Sequence, residues 1–373
     1  MRSRLLARLD AAIARTRDPV QLACLRAERA GFLGRHGQVE LARGQLQELQ
    51  RQFAARPHVA VSGWMALAEG QIEQYTHLGS ATAYDRLKRA YALSAAAQLQ
   101  PLQALSAAWL AHAHYLRDER ERTAALCAEA LRLAAPDHHG ARWRACLTVA
   151  VGLHYTGRLD LAQPWYNSAR QHALADGDDV ALSSTIYNQA GLRADHARQA
   201  AAFEGVTGSQ AVHAAMVMDS TSNFDAGIGL QSLDWLVPLL RAHLLVLEGC
   251  FEQALALFDE QQAGSPTTRS PWRERLQPCL LADRAWCLLQ TGREEEARAG
   301  AQAAEQSLQQ ASCDVDDRAL AHARLAELFA RFGDAQRAAR HRARAEQDHA
   351  AYKAQQAKAL HILQEALGEL RPA

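Results

Sequence analysis

Sixteen histidines, seven cysteines and 41 carboxylates are the side chains in this 373-residue sequence with the chemistry to hold a metal or move a proton. Their spacing argues against both tasks. The close histidine pairs are His112 with His114 and His138 with His139, and neither has a third ligand nearby in sequence. There is no HExxH, no Cys–His cluster at zinc spacing and no EF-hand loop. The cysteines (Cys24, Cys127, Cys146, Cys250, Cys279, Cys287 and Cys313) are odd in number, widely spaced and free of CxxC. They read as free thiols buried among apolar residues, in a reducing cytoplasm. No GxxxxGK[ST] is present, no lysine lies near a Gly-rich loop, and no GxSxG occurs. Asp219, Asp225 and Asp234, in a polar stretch, are the remaining candidates for an acid–base site. The expectation is a non-enzyme with no metal and no cofactor.

Charge points the same way. Forty-one Lys and Arg balance 41 Asp and Glu, giving a formal net charge of zero. That balance disfavours a polyanionic partner, so no direct nucleic-acid binding is expected. The segment MRSRLLARLDAAIARTRDP carries a charge every few residues and lacks the apolar core of a signal peptide. The most apolar stretch, Leu236–Leu247, is broken by Arg241 and His243 and is too short to span a bilayer. A cytoplasmic protein without a membrane partner is expected.

The elements that must position these groups are helices. Alanine fills about a fifth of the chain and costs least in a helix, and no long run of alternating β-branched residues occurs. An internal repeat organises them. Alanine, then glycine seven residues on, then alanine five further, recurs at Ala30/Gly37/Ala42, Ala150/Gly157/Ala162, Ala242/Gly249/Ala254, Ala285/Gly292/Ala297 and Ala326/Gly333/Ala338. Gly249, Gly292 and Gly333 are 43 and 41 residues apart, and the earlier intervals are near-multiples of that period. Degenerate copies fill the gaps at Gln71/Leu78/Ala83, at Ala111/Asp118/Thr123 and, weakly, over Tyr187–Phe203. Each glycine can take the left-handed conformation that closes one helix, letting the chain reverse into the next. The flanking alanines let the two helices approach closely. Asp160, Glu252, Glu294 and Asp334 suit the start of the second helix. A lone hairpin cannot bury its apolar face, so successive hairpins must stack.

These residues resemble the tetratricopeptide repeat family: Ala150, Gly157, Ala162, Tyr166 and Ala169 match its small, turn and apolar positions, as do Ala285, Gly292, Ala297, Ala301 and Ala304. The period of 40–46 residues is longer than the family's 34, its early Trp recurs only at places such as Trp64, and its closing Pro is mostly missing. This long-period form is similar to the helical sensor arrays of bacterial transcription activators of the maltose-regulon type. The resemblance implies an all-α, right-handed superhelical solenoid of about eight antiparallel helix pairs. The expected organisation is an array over residues 1–202, an irregular insert at 203–234, a second array over 235–350, and a capping helix and tail at 351–373. Within the insert a helix is expected near Gln210–Asp219 and a loop over Ser220–Gly229, and Gly264–Pro271 reads as a linker. Tyr352, Ala359, Leu363 and Leu370 form one stripe, read as covering the last repeat or, alternatively, as a homodimer contact.

The resemblance also implies a binding surface, the concave face lined by each unit's first helix. Its groove positions fall on Met65, Ile72, Tyr75, His112, Tyr115, Arg144, His154 and Tyr155, then on Asn188, Asp195, His196, His243, Trp286 and Gln290. The set is rich in aromatics and histidines, which offer large contact area with a polar handle. The family's Lys-and-Asn carboxylate clamp is not met, although Arg144 could serve differently. The expected function is binding of a protein or peptide by a regulator or scaffold. The alternative is a ligand-sensing module acting in trans on a transcription or signalling effector.

Overall fold

The computed structural model describes residues 3–205, 223–232, 235–263, 271–310 and 312–372, and these contain no strand. A leading helix, α1 (Arg4–Arg15), precedes four complete hairpins. They are α2 (Pro19–Arg35) with α3 (Val39–Phe53), α4 (Val59–Thr76) with α5 (Ala81–Ala96), α6 (Gln100–Tyr115) with α7 (Arg120–Leu133), and α8 (His139–Tyr155) with α9 (Leu159–Asp176). A 25-residue helix, α10 (Asp179–Phe203), opens the fifth. Three more follow: α11 (Leu236–Glu248) with α12 (Phe251–Ala263), α13 (Pro271–Gln290) with α14 (Glu294–Gln310), and α15 (Val315–Arg331) with the 33-residue α16 (Ala335–Leu367). The all-α repeat of helix pairs expected from the sequence is what the structure contains.

The repeat's residues do what their chemistry requires. Gly37, Gly157, Gly249, Gly292 and Gly333 all have positive φ, between 76° and 98°. At the Gly157 turn the amide donates to His154 O at 2.9 Å, and the Arg158 amide donates to Leu153 O at 3.2 Å. This closes the helix end as a left-handed cap does. All ten flanking alanines are buried, from Ala30 at 0% to Ala338 at 4% exposure. In the degenerate copies Asp118 makes the turn (φ 60°) as expected, but Leu78 does not; its neighbour Gly79 does (φ 81°), because glycine adopts that conformation without a Cβ clash.

First helices also pack on first helices, α2 on α4, α4 on α6 and α6 on α8. At Gly34 the approach is so close that an added Cβ would lie 2.3 Å from Ile72 Cγ1. Helix starts are capped by side chains: Asp18 accepts from the Gln21 amide at 2.6 Å, and Ser80 from the Ala83 amide at 3.1 Å.

Two compact units divide the chain. The first comprises Met1–Ile186, Asn223–Asp234 and Ala359–Ala373; the second comprises Tyr187–Ser222 and Trp235–Lys358. In the first, α1 covers the end of α9, with the Leu5 amide donating to Gly177 O at 3.1 Å and Arg4 to Leu174 O at 2.6 Å. The end of α16 lies there too, with Leu363 against Gly152 of α8. In the second, Ala285, Ala301, Ala304, Leu325, Leu328 and Phe329 form one core. Tyr352, Ala359 and Leu363 are buried at 3%, 2% and 6%, so this much of the apolar stripe is covered by the chain itself.

The expected helix near Gln210–Asp219 and nearly all of the linker Gly264–Pro271 lie outside the described residues. The expected loop over Ser220–Gly229 needs correction, because residues 223–228 are helical. Gly229, at φ 68°, closes that segment, donating to Ala226 O at 3.3 Å, while the Leu230 amide donates to Asp225 O at 3.0 Å.

Two glycines test the turn logic. A Cβ added at Gly157 would meet no atom within 4 Å, so Gly157→Ala changes only backbone strain. It is expected to lower stability by about 1 kcal/mol in urea unfolding. Gly44, equally unobstructed but inside α3, should gain about 1 kcal/mol on replacement by Ala.

Candidate functional site

In the first unit a polar and aromatic strip runs across the first helices α2, α4, α6, α8 and α10. Its centre is an edge-to-face pair, Trp109 on α6 and Trp143 on α8, with ring centroids 6.0 Å apart. Tyr75 of α4 adds a second edge contact to Trp109 at 6.2 Å. Trp143 Nε1 donates to Thr185 Oγ1 at 3.0 Å, and the Tyr75 hydroxyl meets Ser184 Oγ at 3.0 Å; both partners lie on α10. Gln74 Nε2 and His112 Nδ1 approach to 3.4 Å, linking α4 to α6. Five helices from five hairpins therefore supply the strip, and the second helices α3, α5, α7 and α9 supply none of these groups.

Two guanidiniums flank the tryptophans. Arg35 Cζ lies 5.7 Å from the Trp109 centroid and 5.9 Å from Trp143; Arg144 Cζ lies 5.3 Å and 4.9 Å from the same rings. Both arginines are buried, at 6% and 3% exposure. Their electrostatic situations differ. Arg35 Nη2 donates to Asp178 Oδ2 at 2.7 Å, a buried ion pair. Arg144 forms no ion pair among the described residues; its Nε is enclosed without a hydrogen-bond partner, as are Nε and Nη1 of Arg35. Burial lowers the Arg144 pKa to about 10, offset in part by Tyr75 and Cys127 and pressed further by Arg35. Burial holds His112 well below the usual histidine range, and the Arg144 charge adds to that. The imidazole stays neutral and leaves the arginines as the cations of the strip.

The expected site residues divide in three. Tyr75, His112 and Arg144 come together in the strip. His154 is 1% exposed and turns instead toward α9, its Nδ1 3.1 Å from the Tyr166 hydroxyl; Tyr155 is buried under the Arg120 guanidinium at 4.2 Å. Ile72 packs against Gly34, and Met65 lies on the apolar cluster of α2–α4. Tyr115 is half-buried at the end of α6. Asn188, Asp195 and His196 lie on α10, with Asn188 half-buried. In the second unit His243 is an ion-network residue: its Nδ1 is 3.0 Å from Asp283 Oδ2, and Asp283 also accepts from Arg198 at 2.9 Å and Arg324 at 3.2 Å. Trp286 is half-buried beneath Arg324 at 4.8 Å, and Gln290 is exposed.

Arg35, Gln74, Trp109 and Trp143 were absent from the expected set. The available signal was an arginine beside an apolar run: Arg35 follows Phe32 and Leu33, and Arg144 precedes Ala145, Cys146 and Leu147.

The paired histidines separate. His114 Nδ1 meets Glu119 at 2.8 Å, His138 caps α8 by accepting from the Ala141 amide, and His139 Nδ1 lies 3.0 Å from His172 Nδ1. Among the described residues no cluster of three His, Cys, Asp or Glu is arranged to hold a metal, and no helix is long and apolar enough to cross a membrane. Asp219 and Asp234 lie outside the described residues, and Asp225, its carboxyl raised by burial, hydrogen-bonds Ser183. All seven cysteines are free; four are buried and three half-buried.

The fold resembles that of a Rap protein solved in complex with competence and sporulation factor, with a TM-score of 0.54 over 94% of this chain and 92% of that chain, at 12% sequence identity. The fold is that of TPR-like helical repeats. No family model matches the sequence, and no curated protein matches it. The helical-repeat architecture is thus shared with a protein solved in complex with a bound factor.

The two arginines should respond oppositely to removal. Arg35→Met leaves Asp178 buried and unpaired and is expected to destabilise by about 3 kcal/mol in urea unfolding. Arg144→Met removes a buried charge that has no acid and is expected to be neutral or stabilising. A second check concerns His243, whose pKa burial lowers to about 4, with Arg198 adding to the effect. The unfolded chain takes up that proton near pH 6.5 and the folded chain only near 4, so stability is complete above 6.5 and falls as pH drops between them. His243→Gln should flatten that part of the stability–pH curve.

Proposed function

We propose that this chain is a non-enzymatic regulator that binds a peptide or an extended protein segment along the face lined by its first helices. The observation that carries the reading is the strip itself. Five consecutive first helices contribute Arg35, Gln74, Tyr75, Trp109, His112, Trp143, Arg144 and Thr185, with cross-helix hydrogen bonds, at positions where a purely structural stack needs only apolar contact. Aromatic and arginine side chains are those that anchor interfaces most strongly. A face shared by several repeats suits an extended ligand, because each repeat adds one contact point along its length. The similarity to a Rap protein complexed with competence and sporulation factor supports this reading. The finer identity, a long-period tetratricopeptide array that acts in a bacterial cytoplasm on an effector, belongs to the same proposal.

The test is selection of peptides from a randomised library on the immobilised full chain. Selected peptides should lose at least about tenfold in affinity to His112→Ala/Tyr75→Phe and none to Leu174→Ser, on the exposed side of α9. Peptides that bind all three proteins alike would place the binding surface elsewhere.

A further inference from the structure

Among the described residues the Arg144 guanidinium is the buried cation of the strip that has no acid paired with it. Its neighbour supplies the comparison. Arg35 stacks on the same two tryptophans, is buried to the same degree, and has Asp178 at 2.7 Å. Asp178 and, farther off, Asp176 answer the Arg35 charge, whereas no carboxylate among the described residues bears on Arg144. A buried charge without a partner is among the most unfavourable things a folded chain can contain. Contact with the faces of Trp109 and Trp143 replaces only part of the lost hydration. Arg144 Nε is enclosed and bonded to nothing.

From this geometry we infer that Arg144 is the receptor for one carboxylate group of the ligand. Its planar fork matches a carboxylate through two parallel N–H···O bonds, which a lysine could not offer. The plane is held in advance: Trp143 is tied to Thr185, and Trp109 is wedged between Trp143 and Tyr75. Gln74 and His112 supply polar edges beside it. The uncompensated charge is one, which a carboxylate neutralises and a dianionic phosphate exceeds. The geometry differs from a Lys-and-Asn clamp, since the cation comes from one arginine pressed on two indoles. In a peptide ligand the group is either the chain-end carboxylate or an Asp or Glu side chain; that extension rests on the peptide-binding reading above, whereas the carboxylate receptor itself does not.

The experiment uses the full chain with N-acetylglycine, which carries one carboxylate, and N-acetylglycinamide, which carries none, each at about 50 mM and matched ionic strength, and reads the thermal unfolding midpoint. The acid should raise the midpoint of the unsubstituted protein by at least about 2 °C, the amide should leave it unchanged, and the rise should vanish in Arg144→Met. Arg144→Lys, which keeps the charge and loses the fork, should lose at least about half of it. Absence of a rise, equal shifts from acid and amide, or a rise that survives Arg144→Met would overturn the assignment. These probes have no peptide chain, so their failure is separable from failure of the library selection. Selected peptides then identify the source. Tenfold weakening by C-terminal amidation, absent against Arg144→Met, points to the chain end, and the same pattern from Asp or Glu replaced by its amide points to a side chain. Peptides indifferent to both changes would remove the carboxylate from the peptide mode.

Discussion

The structure depends on the close contact of two helices across a reversal that glycine makes possible. Each repeat puts an alanine on either side of the turn, and every one of these alanines is buried. With methyl groups at the crossing, the helices meet at short range and leave their larger side chains to reach the next hairpin. The left-handed glycines set the direction in which the chain comes back. From that local geometry follows the stacking of first helix on first helix, seen most plainly where Gly34 admits Ile72. Within the first unit such a stack buries its hydrophobic surface between neighbours and sets the first helices side by side along one face.

That face is where the sequence departs from apolar packing. Arg35 has its charge answered inside the fold by Asp178, and among the described residues Arg144 has no such partner. Folding alone gives no reason to hold the second arginine there, and a methionine of similar length would fill the space without a charge. The arrangement makes physical sense when the missing partner comes from outside the chain. The neutral state of His112, maintained by burial and by Arg144 itself, keeps the cluster from gaining a further charge. The second unit shows the contrasting solution, in which Asp283 receives Arg198, Arg324 and His243 and its carboxyl is held low by those partners despite burial. There Arg198 and Arg324 share a carboxylate within the fold, and His243 hydrogen-bonds the same group.

The hairpins and their boundaries were legible in the sequence because the forces that set them act over a few residues. A glycine at a left-handed turn, an alanine at a crossing and an apolar period near 3.6 each carry their meaning locally, and Gly157 with Ala150 and Ala162 would have it in any context. The error at Leu78, where Gly79 makes the turn, is of the size expected when a degenerate copy is aligned without its glycine. The helical segment over 223–228 escaped notice because a single left-handed glycine, Gly229, closes it and its composition otherwise reads as loop.

The facing of individual side chains was decided by tertiary structure. One residue along a helix is a rotation of about 100°, so a shift of one in the alignment moves a side chain from the strip to another side of its helix. His154 and Tyr155, adjacent in sequence, accordingly divide between Tyr166 of α9 and Arg120. Tyr75, His112 and Arg144 were expected on one face and meet there, but Trp109, Trp143 and Arg35 join them from hairpins whose relation no local pattern encodes. By itself the sequence determined that this is a stack of helical hairpins. Only the packed structure decided that Arg35 would meet Asp178 while Arg144 has no acid among the described residues, because pairing of charges is settled by residues far apart in the chain.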